Sequence, residues 1–563
     1  MKKTLRLAAI FGLALTCATV AWAGEEKLST ELKPANRTGR RSAENVEVIV
    51  QYKVTPTEAH HARVAALGGR LNAKMDFIKG AHYSLPASAL DALAEDPDVA
   101  YVTPNRPVKA MFDQITNGTV GSSTANNQMQ TGSNVGVAII DSGVTSLPDF
   151  QGGLLDLFGS RIAYQQSFVT GDSVVADEFG HGTHVAGILA GNGNGSVYGG
   201  TAPGVNIISL KVLGPLGLGT DASVIAAINA AISLKSKYNI RVINLSLGRM
   251  VYESASLDPL DQAVEAAWKA GIVVVVAAGN EGRNNSAGTN GYATITAPGN
   301  DPYVITVGCI KSNGTTTLTD DRIASYSSKG PTLFDHYVKP DLVAPGNQIV
   351  STMPTGLTLS NLYPANRVSS EWFTLSGTSM ATPVVSGAAA ILIGSSSSMT
   401  PDQVKAKLMK TATKSFPTSS VAVDPITGIS YTSYYDVFTV GAGELNVMAA
   451  LQDNTLGNLL SSLTGKLGAA LSPVASYNAT TGAVTLLGVS GQNVVWGANV
   501  VWGANVVWGA SAVLANNVVW GANVVWGASS LQGFNVVWGA NVVWGASIFD
   551  ESESTVVAIN GEP

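Results

Sequence analysis

The chain has 563 residues, of which 45% are hydrophobic and 13% charged, a composition typical of globular proteins rather than of disordered ones. Its 33 basic and 39 acidic residues give a net charge of −6, so it has no basic excess of the kind that holds nucleic-acid phosphates. We therefore expect several folded domains and no nucleic-acid partner.

The first 23 residues have the organisation of a secretory signal peptide. A basic start leads into an apolar stretch that ends at Ala21-Trp22-Ala23, a small-x-small cleavage signature. We predict cleavage near Ala23 and a secreted protein, with a membrane anchor or a lipid-modified Cys17 as alternatives. No later stretch reaches the roughly 18 apolar residues of a spanning helix, so no transmembrane segment is predicted. After cleavage only Cys309 remains, which excludes an intrachain disulfide.

A small α+β domain is predicted between residues 46 and 110, after a polar N-terminal segment at 24–45. An alternating strand and a helical pattern are followed by a second strand and helix and by a last strand, in the order β-α-β-α-β. Residues 111–134 are poor in apolar residues and rich in Asn, Gly, Ser and Thr. This composition predicts an exposed linker.

A larger α/β domain is predicted between residues 135 and 452, where continuous apolar runs alternate with helical segments. Five of these runs are candidates for buried strands: VGVAII, NIISLKVL, RVINLSL, GIVVVVAAG and YVITVGCI. Such alternation predicts a mostly parallel sheet flanked by helices. Functional residues of folds of this type lie at the carboxyl ends of the strands.

The last part of the chain is repetitive. A connecting segment, 453–492, leads to residues 493–546, where the hexapeptide NVVWGA occurs seven times and two degenerate units lie 18 residues apart. Three hexads per 18 residues favour a β-solenoid with three faces per coil. The tryptophan column is then either buried core or a binding platform, and an aggregation-prone strand array is a further reading. Residues 547–563 form a C-terminal tail.

Three polar residues beside apolar segments suggest nucleophilic chemistry. Ser379 opens an apolar helix in LSGTSMATPVVSG, where it is either a helix cap or a nucleophile. His181, flanked by glycines at the start of another helix, is the candidate base among six histidines, and His184 is predicted to be a packed, hydrogen-bonded residue. Asp141 ends the strand VGVAII, where it either orients that base or caps a turn.

Asn280 is a fourth candidate. It ends the apolar strand in GIVVVVAAGNEG, beside small residues. An uncharged amide donor in such a position is suited to hydrogen-bond an oxyanion as it develops on a carbonyl group.

The order of these motifs resembles that of the subtilisin-like serine proteases. The matching motifs are DSGV at 141, HGTHVAG at 181, SLG at 246, AAGNE at 277 and GTSMATP at 377. The resemblance implies a serine endopeptidase that cleaves polypeptides through an acyl-enzyme, with Asp141, His181 and Ser379 as the catalytic triad and Asn280 as the oxyanion donor. It also implies two walls of a pocket for the residue before the scissile bond, formed by Ser246, Leu247, Gly248, Ala277, Ala278 and Gly279.

The same resemblance implies a precursor. The small domain at 46–110 is similar to the propeptide that acts in this family as an intramolecular inhibitor and folding aid. We predict self-cleavage between residues 108 and 124.

The resemblance also implies a structural calcium ion. The loop GNGNGSVYGGTAPG at 191 resembles the calcium loop of the family, and its oxygen donors suit a hard cation. The implied ligands are Asp149, Asn192, Asn194, Ser196 and Tyr198. An ion-free Gly/Asn turn is the alternative.

Two other classes of function stay open at this level. The first is a catalytically silent scaffold of this fold. The second is a surface or matrix adhesin with an accessory protease, in which the NVVWGA array makes the contacts and keeps the protein at the cell envelope.

Overall fold

The computed structural model divides the chain into two compact units, Met1–Pro104 and Asn105–Pro563. The residues that the structure describes are 25–34, 45–110, 120–152, 159–193, 198–286, 288–424, 427–453, 472–478, 483–487, 506–507, 519–520 and 561–562. The predicted signal peptide lies outside them.

The first unit is built on a four-stranded antiparallel sheet in the order β2-β3-β1-β4. Its elements are β1 (Asn45–Tyr52), α1 (Glu58–Ala66), β2 (Arg70–Met75), β3 (Gly80–Pro86), α2 (Leu90–Ala94) and β4 (Val99–Pro104). The predicted β-α-β-α-β order is wrong in one respect, because it omits β2. That edge strand is mostly polar and only partly buried, so the sequence lacks the apolar alternation that marks a strand.

The second unit contains the larger domain. Its strands are β5 (Pro107–Ala110), β6 (Gly136–Asp141), β7 (Ile162–Ser167), β8 (Asn206–Lys211), β9 (Leu218–Thr220), β10 (Ile240–Leu245), β11 (Leu247–Gly248), β12 (Val273–Ala277), β13 (Ile305–Lys311), β14 (Arg322–Ile323), β15 (Leu342–Pro345), β16 (Ile349–Thr352), β17 (Trp372–Leu375), β18 (Ser419–Val423), β19 (Ser430–Tyr434), β20 (Val474–Asn478), β21 (Ala483–Leu487), β22 (Val506–Val507) and β23 (Val519–Trp520). Its helices are α3 (Ser122–Asn127), α4 (His181–Ala190), α5 (Asp221–Tyr238), α6 (Pro259–Lys269), α7 (Thr358–Leu362), α8 (Thr378–Ser395), α9 (Pro401–Thr411) and α10 (Val447–Gln452).

The main sheet runs in the order β14-β13-β12-β10-β6-β8-β7, with β15 beside β13. All its pairings are parallel except that of β13 with β14, so the predicted mostly parallel sheet flanked by helices is confirmed. β6 lies between β8 and β10, and the later strands are added on both sides of it. The carboxyl end of β6 is therefore at a point where the strand order reverses, which is where open α/β sheets place their sites.

Helix α8 forms the centre of this domain. It packs against β10, β12, β13 and β15, and all its residues from Thr378 to Ile393 are buried. Its length and hydropathy match those of a membrane span, but 89% of it is buried inside the protein. This is the burial of a core helix.

The linker departs from its prediction, whereas the prediction for the tail is not tested by the described residues. Residues 111–134 were predicted to be exposed, yet they include α3, which packs on α10 and buries Ala125. Residues 107–110 were assigned to the small domain but pair as β5 with strands of the second unit. The NVVWGA array lies outside the described residues except for β22 and β23, which pair antiparallel, so the solenoid stays a prediction.

Candidate active site

Asp141 and His181 meet at the carboxyl end of β6. Asp141 is the last residue of that strand, and His181 is the first residue of α4. His181 Nδ1 lies 2.8 Å from Asp141 Oδ1, and both side chains are fully buried. The backbone N–H of Ser142 donates to the same Asp141 oxygen at 2.7 Å, so the carboxylate is held in place from two directions.

Two glycines permit this close approach. Gly180 has a φ of 111°, a left-handed conformation that side chains rarely adopt, and it turns the chain into α4 just before the histidine. At Gly182 an added Cβ would collide with the carbonyl oxygen of Gly143. The two glycines that flank His181 are thus needed for the turn into α4 and for a close backbone contact, as the sequence analysis expected.

A buried acid supports this arrangement, and the sequence reasoning missed it. Asp177 accepts hydrogen bonds from Ser142 Oγ at 2.9 Å, from the Gly180 N–H at 2.8 Å and from Thr183 Oγ1 at 2.6 Å. Ser142 Oγ in turn accepts the N–H of Gly182 at 2.8 Å. Burial raises the pKa of Asp177, and the hydrogen bonds oppose that rise. Asp177 therefore links the end of β6 to the start of α4.

Ser379 lies in the first turn of α8 and is fully buried. Its Oγ donates to the carbonyl oxygen of Ser246 at 3.1 Å, while Ser246 Oγ donates to the carbonyl oxygen of Ser379 at 2.7 Å. The two serines thus exchange hydrogen bonds across 133 residues of sequence. Since α4 and α8 pack against each other, His181 and Ser379 lie in the first turns of two neighbouring helices.

Asn280 is fixed by the residue before Ser379. Its Oδ1 accepts hydrogen bonds from the Thr378 N–H at 3.1 Å and from Thr378 Oγ1 at 3.0 Å. Because the oxygen is held, the Nδ2 group is the donor end of the side chain. The sequence reasoning did not single out Thr378, although it lies inside the quoted GTSMATP motif.

The two predicted pocket walls are strand ends. Ser246 precedes β11, and Ala277 ends β12 with Ala278 and Gly279 following. Gly279 has a φ of 109°, and an added Cβ there would crowd Ser328 Oγ. All six predicted wall residues therefore lie at or just after the ends of β10 and β12, or in the short strand β11 that follows β10.

A segment of the same chain runs along one of these walls. β5 lies between β11 and β9 as an antiparallel strand, with Lys109 opposite Gly248 and Ala110 opposite Leu247. This is the arrangement of a peptide added to a sheet edge.

His184 is the packed histidine that the sequence predicted. Its Nε2 lies 3.0 Å from the carbonyl oxygen of Phe373, and burial lowers its pKa to about 3. The burial and this hydrogen bond confirm the prediction, and a ring with so low a pKa is a weak proton acceptor that is poorly suited to general-base catalysis at neutral pH.

The predicted calcium ligands are described only in part. Asn194 and Ser196 lie outside the described residues. Asp149 is buried, its Oδ1 accepts the Gly193 N–H at 2.7 Å, and its Oδ2 has no hydrogen-bond partner among the described residues. Asn192 donates its side-chain N–H to the carbonyl oxygen of Gln151 at 3.0 Å, and Tyr198 packs on Trp372. Burial raises the pKa of Asp149 to about 6.

Similarities to known proteins agree with this geometry. The sequence model of the subtilase family, peptidase S8, matches residues 132–428. Serine protease AprX of Bacillus subtilis (strain 168) is 38% identical over 340 residues, which are 58% of this chain and 72% of that protein. Subtilisin E of the same organism is 34% identical over 426 residues, 74% and 93% of the two chains.

A solved structure shares the fold. Fervidolysin from Fervidobacterium pennivorans, a keratinolytic enzyme related to subtilisin, has a TM-score of 0.54 and 22% identity to this chain. The alignment covers 73% of this chain and 61% of fervidolysin. The matched family range contains the four candidate residues Asp141, His181, Asn280 and Ser379 in that order. The chain therefore belongs to the subtilase family and is a subtilisin-like serine endopeptidase.

Proposed function

We propose that Asp141, His181 and Ser379 are the catalytic triad of an endopeptidase that is made as a self-processed, secreted precursor. The hydrogen bond between Asp141 Oδ1 and His181 Nδ1 carries this proposal. It keeps the ring proton on Nδ1, so that Nε2 is the nitrogen that accepts a proton. The carboxylate also stabilises the imidazolium formed when that proton arrives.

Hydrolysis proceeds in two halves. Ser379 Oγ attacks the carbonyl carbon of the scissile bond while its proton moves to His181 Nε2. The C–N bond then breaks, the proton passes to the nitrogen of the leaving amine, and an acyl-enzyme remains. Water attacks the ester, gives a proton to the same ring nitrogen, and the proton returns to Ser379 Oγ as the acid product leaves.

Asn280 and the start of α8 stabilise the oxyanion. The amide oxygen of Asn280 is held by Thr378, which leaves its Nδ2 as the donor for negative charge on the attacked carbonyl. The backbone N–H of Ser379 lies in the first turn of α8, where the helix dipole favours negative charge. Both donors are positioned before the substrate arrives, which is why they stabilise the transition state effectively.

The precursor cleaves itself after β5, within the stretch 108–124. The position of β5 supports this, because it runs antiparallel to the pocket wall toward Ser246, which holds Ser379 Oγ. The residues before the cut are then the first substrate of the site. After cleavage the part of the chain before the cut, called the leader below, acts as a temporary inhibitor of the enzyme. The signal-like first 23 residues support export of the processed enzyme.

A covalent inhibitor tests this function directly. Intact-mass measurement of protein from the culture medium, with and without a sulfonyl fluoride, is expected to show loss of the leader and one added group, on Ser379. Protein denatured before treatment serves as the control and should remain unlabelled, because Ser379 is reactive only beside its base. Secreted protein of full precursor mass, or folded protein without the adduct, would contradict the proposal.

We also propose that Asp149 holds a structural calcium ion. Its buried Oδ2, which accepts no hydrogen bond among the described residues, suits a hard cation, and the carbonyl oxygens of Asn192 and Tyr198 complete the described part of the predicted set. The ion supplies no chemistry to hydrolysis; it stabilises the loop at 191.

Removal of calcium is expected to lower the melting temperature by about 5 °C, the size of shift that a ligand at roughly 100 times its Kd produces in a domain of this size. Melting curves in EDTA and in excess calcium measure it. Asp149→Asn should abolish most of the difference between the two curves, whereas Asp320→Asn, in an exposed loop elsewhere, should not. Identical curves for the wild type with and without EDTA would refute the site.

A further inference from the structure

A buried ion pair lies directly upstream of β5. Arg106 Nη1 and Nη2 donate to the two carboxylate oxygens of Glu253, both at 2.5 Å. Arg106 is 3% exposed and Glu253 5%. The guanidinium also lies over the ring of Tyr252, 4.8 Å from its centroid. This is a bidentate contact with a cation–π contact, the geometry by which proteins recognise arginine.

The chain around Arg106 is held by hydrogen bonds of the kind that would also bind the backbone of a peptide substrate. Its carbonyl oxygen accepts the N–H of Asp221 at 2.7 Å, and the Asn105 side-chain oxygen accepts the N–H of Ala222 at 2.8 Å. β5 follows at once and pairs with β9 and β11. The segment from 105 to 110 is thus held over its whole length by the start of α5 and by β9 and β11. We call the surface that these elements offer to the segment the cleft.

The charges around Glu253 favour a cation beside its carboxylate. The neighbouring Arg249 is fully engaged, with Nε 2.9 Å from Asp221 and Nη2 2.7 Å from Asp258. Burial and the Asp258 charge raise the pKa of Glu253 to about 7, and Arg106 opposes that rise. Without Arg106, three carboxylates would face one guanidinium in a buried region, which is unfavourable.

We propose that Glu253 and Tyr252 form a distal subsite of the cleft that selects arginine in substrates. The inference depends on the proposed self-processing, because release of the leader removes Arg106 and leaves the site open to an incoming chain. In the precursor Arg106 fills the subsite and helps to hold the leader.

The strand register sets the position of that arginine. Lys109 and Ala110 face Gly248 and Leu247, so the next residue of a chain bound like β5 faces Ser246, whose carbonyl oxygen holds Ser379 Oγ. The bond after that residue is the one in reach of the nucleophile. A substrate arginine at the Arg106 position is then about the sixth residue before the cleaved bond, counted along the antiparallel register.

Peptide substrates test the subsite on the processed enzyme. In internally quenched peptides of one sequence, arginine is moved through the fourth to eighth positions before the cut, and each is compared with lysine, glutamine and citrulline, the neutral analogue of arginine. We expect kcat/KM to rise about tenfold for arginine at one upstream position, less for lysine, and not for citrulline. The citrulline comparison needs no variant and reports the charge alone.

Glu253→Gln should abolish the arginine preference, so that kcat/KM for the arginine peptide falls to that for the glutamine peptide measured with the same variant. The matched control is Glu265→Gln, on the surface of α6 and paired with Lys269, which should keep the preference. A flat profile from processed wild-type enzyme, or a preference that survives in Glu253→Gln, would overturn the subsite. Retention of the leader, read from the intact mass of the same sample, would instead overturn the proposed processing.

Discussion

Replacing Ser379 with alanine is expected to lower kcat for peptide hydrolysis by about 10⁶-fold, the loss that removal of the nucleophile causes in subtilisin. The neighbouring hydroxyl of Thr378, also in the first turn of α8, cannot take its place, because it is held by Asn280 Oδ1 at 3.0 Å. The residual rate comes from substrate binding and from those donors, which the substitution leaves in place. Hydrolysis of an internally quenched peptide measures the loss.

The same variant is expected to accumulate as uncut precursor, because the proposed first substrate is its own chain. Ser386→Ala is the matched control: it removes a hydroxyl from the same helix, one that donates to Asn244 Oδ1 at 2.8 Å, and should retain activity and processing. If the Ser379→Ala protein had the same N-terminus as the wild type, cleavage by another protease would replace the proposed self-cleavage. If it retained activity, the nucleophile assignment would be wrong.

The main sheet could be predicted because its central strands are continuous apolar runs. β6, β8, β10, β12 and β13 each coincide with one of the five runs of the sequence, and none extends more than one residue beyond its run. Burial on both faces of a parallel sheet produces such runs, and helices between them bring the strand ends to one edge. Asp141 and His181 were identified for a related reason, since a strand end and a glycine-flanked helix start are both local features of the sequence.

Polar contacts between residues far apart in the sequence could not be predicted in this way. Thr378 binds Asn280 across 98 residues, and Arg106 binds Glu253 across 147. Glu562 accepts a hydrogen bond from Arg283, 279 residues away. Polar pairs of this kind leave no period in the sequence, because each depends on where loops are placed after the core has formed. β2 was missed for a similar reason, since its partners rather than its own polarity make it a strand.

These missed contacts act through the residues that were found. Thr378 orients Asn280, and Asp177 ties Ser142 to the turn before His181, so the candidate residues are held by neighbours outside the proposed triad and oxyanion donors. Rigid positioning of this kind is what electrostatic stabilisation of a transition state requires. The candidate residues lie at strand ends and helix starts, but their positions depend on buried polar neighbours such as Thr378 and Asp177.

Asp141→Asn is expected to lower kcat by about 10⁴-fold while the protein remains folded. An asparagine can keep the position of the carboxylate, but its amide donates to His181 Nδ1 where the carboxylate accepts. The ring proton then moves to Nε2, and that nitrogen can no longer take the proton of Ser379. Peptide hydrolysis measures kcat, and thermal melting shows whether the fold is retained.

Asp172→Asn provides the control for this substitution, because Asp172 forms a partly exposed ion pair with Lys211 and should change kcat by no more than about twofold. A folded Asp141→Asn enzyme with near wild-type kcat would show that the carboxylate only terminates β6. A loss confined to KM would give it a role in binding instead. A large loss in kcat at unchanged stability is the outcome expected if the carboxylate orients the histidine and stabilises its imidazolium, since the 2.8 Å contact with Nδ1 joins this acid to the base.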